Sequence, residues 1–278
     1  MKMAVIGCGL IGGSMALSWK RAGIVDEVIA FGHNPATLQK ALDKGAADTV
    51  TTSMEEAVKD ADIVVSAVPV EAMESVFTEM APFLKSDAVV TDVGSTRQTV
   101  IAAARKGLGD KFHQYAPAHP IAGGEMPGVD YASADLFDEK VVISTPDEGM
   151  DPKVVTFIEE AWRKAGARVQ AMSPLQHDLT FASVSHLPHV LAYALVDMIA
   201  REENAQEKLK MAGAGFRDFT RIASSSPVMW RDICLSNREA LSHELERYRA
   251  SLDTLQKYID ESDGKALESV FENAVRNR

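Results

Sequence analysis

Up to about residue 172 the chain alternates short runs of Val, Ile and Ala with stretches whose apolar positions recur every three or four residues. KMAVIG, EVIAFG, DIVVSAV, AVVTDV, QYAPAH and KVVIST are predicted strands. GGSMALSWKRAG, PATLQKALDKG, EAMESVFTEMAPFL, TRQTVIAAARKG and DPKVVTFIEEAWRKAG are predicted helices. Near-continuous apolar strands separated by helices predict an α/β unit: a doubly wound, mostly parallel sheet covered on both faces. After ARVQAMSP the strand signal stops. PLQHDLTFASVSHLPHVLAYALVDMIA is long and largely apolar, as for a helix covered by its neighbours or by a second subunit. NREALSHELERYRASLDTLQKYIDES is an amphipathic helix. Ser173 and Pro174 make a helix start, so the expected division is 1–172 for the sheet unit and 173–278 for an all-helical unit.

Charge narrows the partners. A net charge of −11 leaves no basic surface for nucleic acid or an anionic membrane, so an anionic substrate would need a local cationic site. Two cysteines, Cys8 and Cys234, make no disulfide framework and suit a reducing compartment. The apolar N-terminus carries a lysine, as a secretory leader does, but glycines interrupt it and it runs into SWKRAG. No charge-free apolar run of 18 residues stands out elsewhere. The expectation is a cytoplasmic protein without a membrane span.

VIGCGLIGGS places Gly7, Gly9 and Gly12 in the order G-x-G-x-x-G, directly after a strand and at the opening of a helix. Gly7 permits a tight turn, Gly9 lets a pyrophosphate approach the backbone, and Gly12 brings helix and strand together. Leu10 and Ile11 inside the loop, and Val68 and Pro69 after the strand DIVVSAV, join the candidate cofactor contacts. At the end of the second strand, where an acid would bond the ribose hydroxyls of NAD, the chain reads AFGHNP. Gly32 replaces the acid, and His33 and Asn34 follow as donors for a 2′-phosphate, so NADP is favoured, with NAD held by backbone contacts the alternative.

A nicotinamide cofactor implies hydride transfer, and hydride loss from an alcohol needs a base for the hydroxyl proton. His119 stands between Pro117 and Pro120, at the expected end of a strand, where open α/β sheets bind ligands. Imidazole suits a base at neutral pH, and the prolines would fix its geometry. Ser95, in TDVGST, is a helix N-cap, a hydroxyl facing the same crevice, or both. His186 and His189 lie three apart on one helix, a spacing also met in metal sites, but no acid accompanies them at matching spacing. No metal is expected, and His186 reads as a core or interface histidine.

GCGLIGGS, TDVGSTR, HPIAGGE, SHLPHVLAYALV and GFRDFTRIASSSPVMWRDI, in this order along most of the chain, resemble the prephenate/arogenate (cyclohexadienyl) dehydrogenase family of tyrosine biosynthesis. The resemblance implies a Rossmann unit followed by a helical dimerisation unit, and a homodimer. It implies oxidative decarboxylation of prephenate, arogenate or both, small dicarboxylates, with hydride transfer to NAD(P). His119 matches the family's catalytic histidine and Ser95 the serine that orients hydroxyl and nicotinamide. His189 matches a substrate contact and Arg221 the arginine that holds a substrate carboxylate, for which its planar fork is suited. Trp230 is a candidate floor for the substrate pocket or a core tryptophan. Gly124 departs from the family's frequent threonine, and Glu125 follows. This departure leaves the pyruvyl and alanyl side chains of the two substrates undistinguished. A β-hydroxyacid or imine reductase and a nonenzymatic dinucleotide sensor are the alternative readings.

Overall fold

The computed structural model describes residues 1–124 and 126–278. β1 (Lys2–Ile6), α1 (Leu10–Arg21), β2 (Glu27–Phe31), α2 (Pro35–Asp43), β3 (Thr49–Thr51) and α3 (Met54–Val58) come first. β4 (Ile63–Ser66), α4 (Met73–Met80), β5 (Val89–Asp92), α5 (Gln98–Leu108) and β6 (Tyr115–Ala116) follow. The strands form one parallel sheet in the order β3-β2-β1-β4-β5-β6. Its central strand shows why helices flank both faces. Side chains alternate along a strand, so Met3 and Val5 pack with Met15 and Trp19 of α1 and Leu38 of α2. Ala4 and Ile6 pack instead with Val58 of α3, Phe77 of α4 and Ile101 of α5. Winding reverses between the neighbours β1 and β4, and a crevice opens beyond their C-terminal ends at such a point.

QYAPAH does not form one strand. Proline has no N–H to continue a ladder, and β6 stops at Ala116, before Pro117. The chain resumes as β7 (Ala118–Pro120) in a second, three-stranded sheet. There β8 (Val141–Ser144) pairs antiparallel with β7, α6 (Pro152–Lys164) follows, and β9 (Arg168–Ala171) pairs parallel with β8. The expected single sheet is therefore two. His119 lies within a paired strand, opposite Ile143, rather than at a free strand end.

Beyond β9 the chain is helical. Ser173 Oγ accepts from Gln176 N at 3.2 Å and opens α7 (Pro174–Phe181). A π turn (Ala182–His186) leads into α8 (Leu187–Ala200). α9 (Ala205–Lys210), α10 (Ala214–Thr220), a 3-10 turn (Arg221–Ser224), α11 (Pro227–Ser236), α12 (Arg238–Asp260) and α13 (Gly264–Asn277) complete it. The expected uninterrupted helix thus carries a wider turn, just before Pro188. Proline cannot donate to the carbonyl four residues back, and local widening is a usual response.

By length and composition, Pro174–Ala200 could cross a membrane, with mean hydropathy 1.4, contrary to the expectation that no segment qualifies. However, its His177, Asp178 and His186 are buried in hydrogen bonds within the protein. Leu175, Leu179, Val184 and Met198 of the same helix stay exposed in the single chain.

Candidate active site

The loop joining β1 to α1 fits a pyrophosphate. Gly7 has φ +92°, and a Cβ there would lie 2.8 Å from the Ala67 carbonyl oxygen after β4. A Cβ on Gly12 would lie 2.5 Å from Gly7 O and 3.0 Å from Val5 Cγ1, so helix and strand close only over glycine. A Cβ on Gly9, the N-cap of α1, would meet nothing within 4 Å among the described residues, and Gly9 supplies no side-chain cap to the helix. The first turn of α1 carries no acid, and its N–H groups receive no cap from the N-cap side chain, as suits a helix start that binds an anion. Val68 flanks the same turn, with Cγ1 3.1 Å from a Cβ on Gly7, and Pro69 follows it. At the end of β2, His33 is exposed and edge-on to Phe31, with centroids 5.2 Å apart. Asn34 is the N-cap of α2. Its Oδ1 accepts from Ala36 N at 2.9 Å and Thr37 N at 3.4 Å, so its NH2 group is the end left for a ligand.

A cleft of about 730 Å³ runs between the loop after β7 and the helical half. His119, Gly124, Phe181, His189, Arg221 and Trp230 line it. A Cβ on Gly124 would lie 3.4 Å from Leu10 Cδ2, so the cleft abuts the glycine loop. Trp230 stacks on His189, with centroids 3.6 Å apart and planes 19° from parallel. Its Nε1 is buried with no hydrogen-bond partner among the described residues. His189 Nδ1 meets Ser185 O at 2.9 Å, leaving Nε2 as the nitrogen for a ligand. Burial holds the His189 pKa below the ordinary value of 6.5, against the opposing pull of that carbonyl, and the Arg221 charge adds a lesser push downward.

Behind the cleft the chain assembles a polar line that sequence reasoning did not single out. His119 Nδ1 lies 2.7 Å from His177 Nε2, and His177 Nδ1 lies 2.9 Å from Asp178 Oδ1. Phe181 stacks on His177 at 4.4 Å and tilts against His119 at 5.1 Å. The fully buried Arg97 forks onto Asp92, at 2.7 Å and 3.1 Å, and Tyr115 also donates to Asp92. Burial, followed by the repulsion a charged ring would meet beside His177, Arg97 and His186, puts the His119 pKa well below 6.5. His119 is therefore a neutral imidazole at physiological pH.

Ser95 sits half-buried after β5 and is not a helix cap. α5 starts later, with Arg97 as its N-cap, because the Arg97 side chain turns back to Asp92 and to the Thr96 carbonyl. Ser95 is not among the residues lining the cleft. Glu125 lies outside the described residues. His186 is buried, and its Nδ1 lies 3.1 Å from Asn237 Nδ2.

Residues 15–171 match the family model described as prephenate dehydrogenase, nucleotide-binding domain, and residues 173–273 the one described as prephenate dehydrogenase, dimerization domain. The chain is 36% identical to a cyclohexadienyl dehydrogenase of Zymomonas mobilis, covering 99% of this chain and 94% of that protein. Among solved structures, it is similar to the prephenate dehydrogenase of Aquifex aeolicus in complex with hydroxyphenyl propionate and NAD+. That likeness has a TM-score of 0.92 and 35% identity, over 100% of this chain and 97% of the other. The Synechocystis arogenate dehydrogenase is similar with a TM-score of 0.83 and 27% identity, over 100% and 99% of the two chains.

Proposed function

The chain belongs to the prephenate dehydrogenase family, and on that premise we propose that it oxidatively decarboxylates prephenate, arogenate or both. The observation carrying this reading is one cleft, beside the glycine loop, lined by both His119 and Arg221. Gly7, Gly9 and Gly12 with Leu10 and Ile11 hold the pyrophosphate of NAD or NADP, and Val68 and Pro69 border it. The end of β2 favours NADP, because Gly32 brings no carboxylate to repel a 2′-phosphate while exposed His33 and the Asn34 amide are donors. Bound there, the cofactor would supply a nicotinamide as the acceptor for hydride from C4 of the substrate ring.

His119 accepts the hydrogen bond, and then the proton, of the C4 hydroxyl as that carbon–oxygen bond gains double-bond character. Ser95, in the turn after β5 and outside the cleft lining, is assigned no step. The bonding pair between C1 and its carboxylate flows into the ring as carbon dioxide leaves. The ring becomes aromatic, and the phenol oxygen takes its proton back from His119. Arg221 holds a substrate carboxylate with its planar fork, and His189, backed by Trp230, meets the side chain bordered by Gly124. The reductase and sensor readings are turned aside by family membership.

We place the nucleotide-binding unit at 1–172 and the substrate and dimerisation unit at 173–278. Leu175, Leu179, Val184 and Met198, left uncovered in one chain, support a homodimer through the helical half. The test assays prephenate and arogenate against both cofactors, with wild type and His119→Asn. Wild type is expected to turn over at least one pair. The variant is expected to lose about 10²–10⁴-fold in kcat with unchanged cofactor affinity. Near-normal turnover in the variant removes His119 from the chemistry.

A further inference from the structure

The line Asp178–His177–His119 decides which nitrogen of His119 carries the lone pair. An ionised carboxylate only accepts hydrogen bonds. Burial opposes the charge on Asp178, but hydrogen bonds from His177 and from the backbone of Gln98 and Arg97 outweigh it, so its pKa lies below the ordinary 3.8. His177 Nδ1 must therefore be the donor across the 2.9 Å contact. Burial also lowers the His177 pKa, against the pull of Asp178, and a neutral imidazole has a single N–H. His177 Nε2 is then an acceptor, and the 2.7 Å contact to His119 needs a proton from His119 Nδ1. That leaves His119 Nε2 as the basic nitrogen.

The carboxylate is itself held in place. Arg97 N donates to Asp178 Oδ1 at 2.8 Å, and Gln98 N donates to Oδ2 at 2.9 Å. α5 has no side-chain cap from its own N-cap residue, and Asp178 supplies one from α7 across the two units. The position of Asp178 is thus fixed by the start of a helix on the sheet, not by the mobility of its own side chain.

We propose that His177 and Asp178 are positioning residues for the reaction. They hold His119 as the Nδ1–H tautomer, keep its Nε2 open to the substrate hydroxyl, and share the positive charge when that nitrogen takes the proton. The proposal rests on the dehydrogenase reading for its consequence, whereas the tautomer itself is a property of the free protein.

The experiment therefore has two arms. In the first, the full-length wild type is labelled with 15N at the histidine rings, and long-range proton–nitrogen correlations are recorded, the His119 signals being assigned by their loss in His119→Asn. Protons on Nδ1 of both His119 and His177 are expected, with Nε2 of each bare. A proton on Nε2 of either ring overturns the proposal whatever the activity. In the second arm, His177→Leu removes the acceptor for His119 Nδ1–H, while His177→Gln restores one through its side-chain carbonyl. His177→Leu is expected to lower kcat by about 10²–10⁴-fold, the scale of losing the correct tautomer in a Ser–His–Asp site, with KM and cofactor affinity little changed. His177→Gln is expected to be at least about tenfold faster than His177→Leu. Equal losses in the two variants overturn the proposal. A wild type with the expected tautomers but no turnover of prephenate or arogenate instead removes the dehydrogenase reading and leaves the tautomer assignment standing.

Discussion

Replacing His186 by asparagine measures how firmly the helical half refuses a buried proton. The ring is 1% exposed, and burial pushes its pKa from 6.5 to about 4. Geometry explains the refusal. Asn237 Nδ2 donates to the Asp178 carbonyl oxygen at 2.8 Å and faces His186 Nδ1 at 3.1 Å. A proton on Nδ1 would oppose two N–H groups, and turning the amide would oppose two carbonyl oxygens. Well above pH 6.5 neither folded nor unfolded chain protonates this residue, and its contribution to stability is complete. As the pH falls, the unfolded chain takes the proton first, and stability drains away until the folded ring also titrates near pH 4. At about 1.36 kcal/mol per pH unit the loss is about 3 kcal/mol.

His186→Asn keeps an acceptor for Asn237 but does not titrate. It loses the edge contact with Trp230 and is expected to be less stable than wild type at pH 7.5 by about 1–3 kcal/mol. Between pH 7.5 and pH 4 the wild-type advantage should shrink by about 3 kcal/mol. Urea unfolding by far-ultraviolet circular dichroism at a series of pH values gives the difference directly. The protomer concentration is held constant, since association adds to apparent stability. The other titrating groups cancel in the comparison. A gap between the two proteins that stays within about 0.5 kcal/mol over that range would refute the reasoning.

Arg221→Ala should raise the KM for substrate by about 10–100-fold, the scale of losing charge-assisted hydrogen bonds, with cofactor affinity unchanged in isothermal titration. An unaltered KM would return Arg221 to a structural role. Gly12→Ala would set a methyl group 2.5 Å from Gly7 O. A backbone shift of that kind, at about 1–3 kcal/mol, should weaken NAD(P) binding about 5–150-fold and lower Tm. Wild-type cofactor affinity in that variant would dissociate the loop from nucleotide binding.

How far the pattern could be read depended on length and locality. β1, β2, β4 and β5 are apolar runs with neighbours on both sides, and each stood out. β3 and β9, TVT and RVQA, are short and mostly uncovered, so they carry too few apolar positions to show a period. The break of QYAPAH was written in Pro117, but the partner of β7 comes from β8, well downstream, and no local rule supplies it.

At the site, His119, His189, Arg221 and Trp230 were each legible through their motifs, and all four line one cleft. His177 and Asp178 were not, although His177, Phe181, Ser185 and His189 recur every four residues. In a regular α-helix each such step drifts by about 40°, so the set would wind off one face. The wider turn at Ala182–His186 offsets that drift, and Phe181, Ser185 and His189 reach the same cleft. Asp178 as a cap for α5 was out of reach of sequence reasoning, because its partners Arg97 and Gln98 lie about eighty positions upstream.

The carboxylate that closes the end of α5 is carried on α7, so it works as a latch between the two halves. A gape wide enough to part them would pull the latch free and let the imidazole ring tumble between its two proton arrangements. On the reading proposed above, the base keeps its lone pair toward the substrate only while α5 and α7 stay joined.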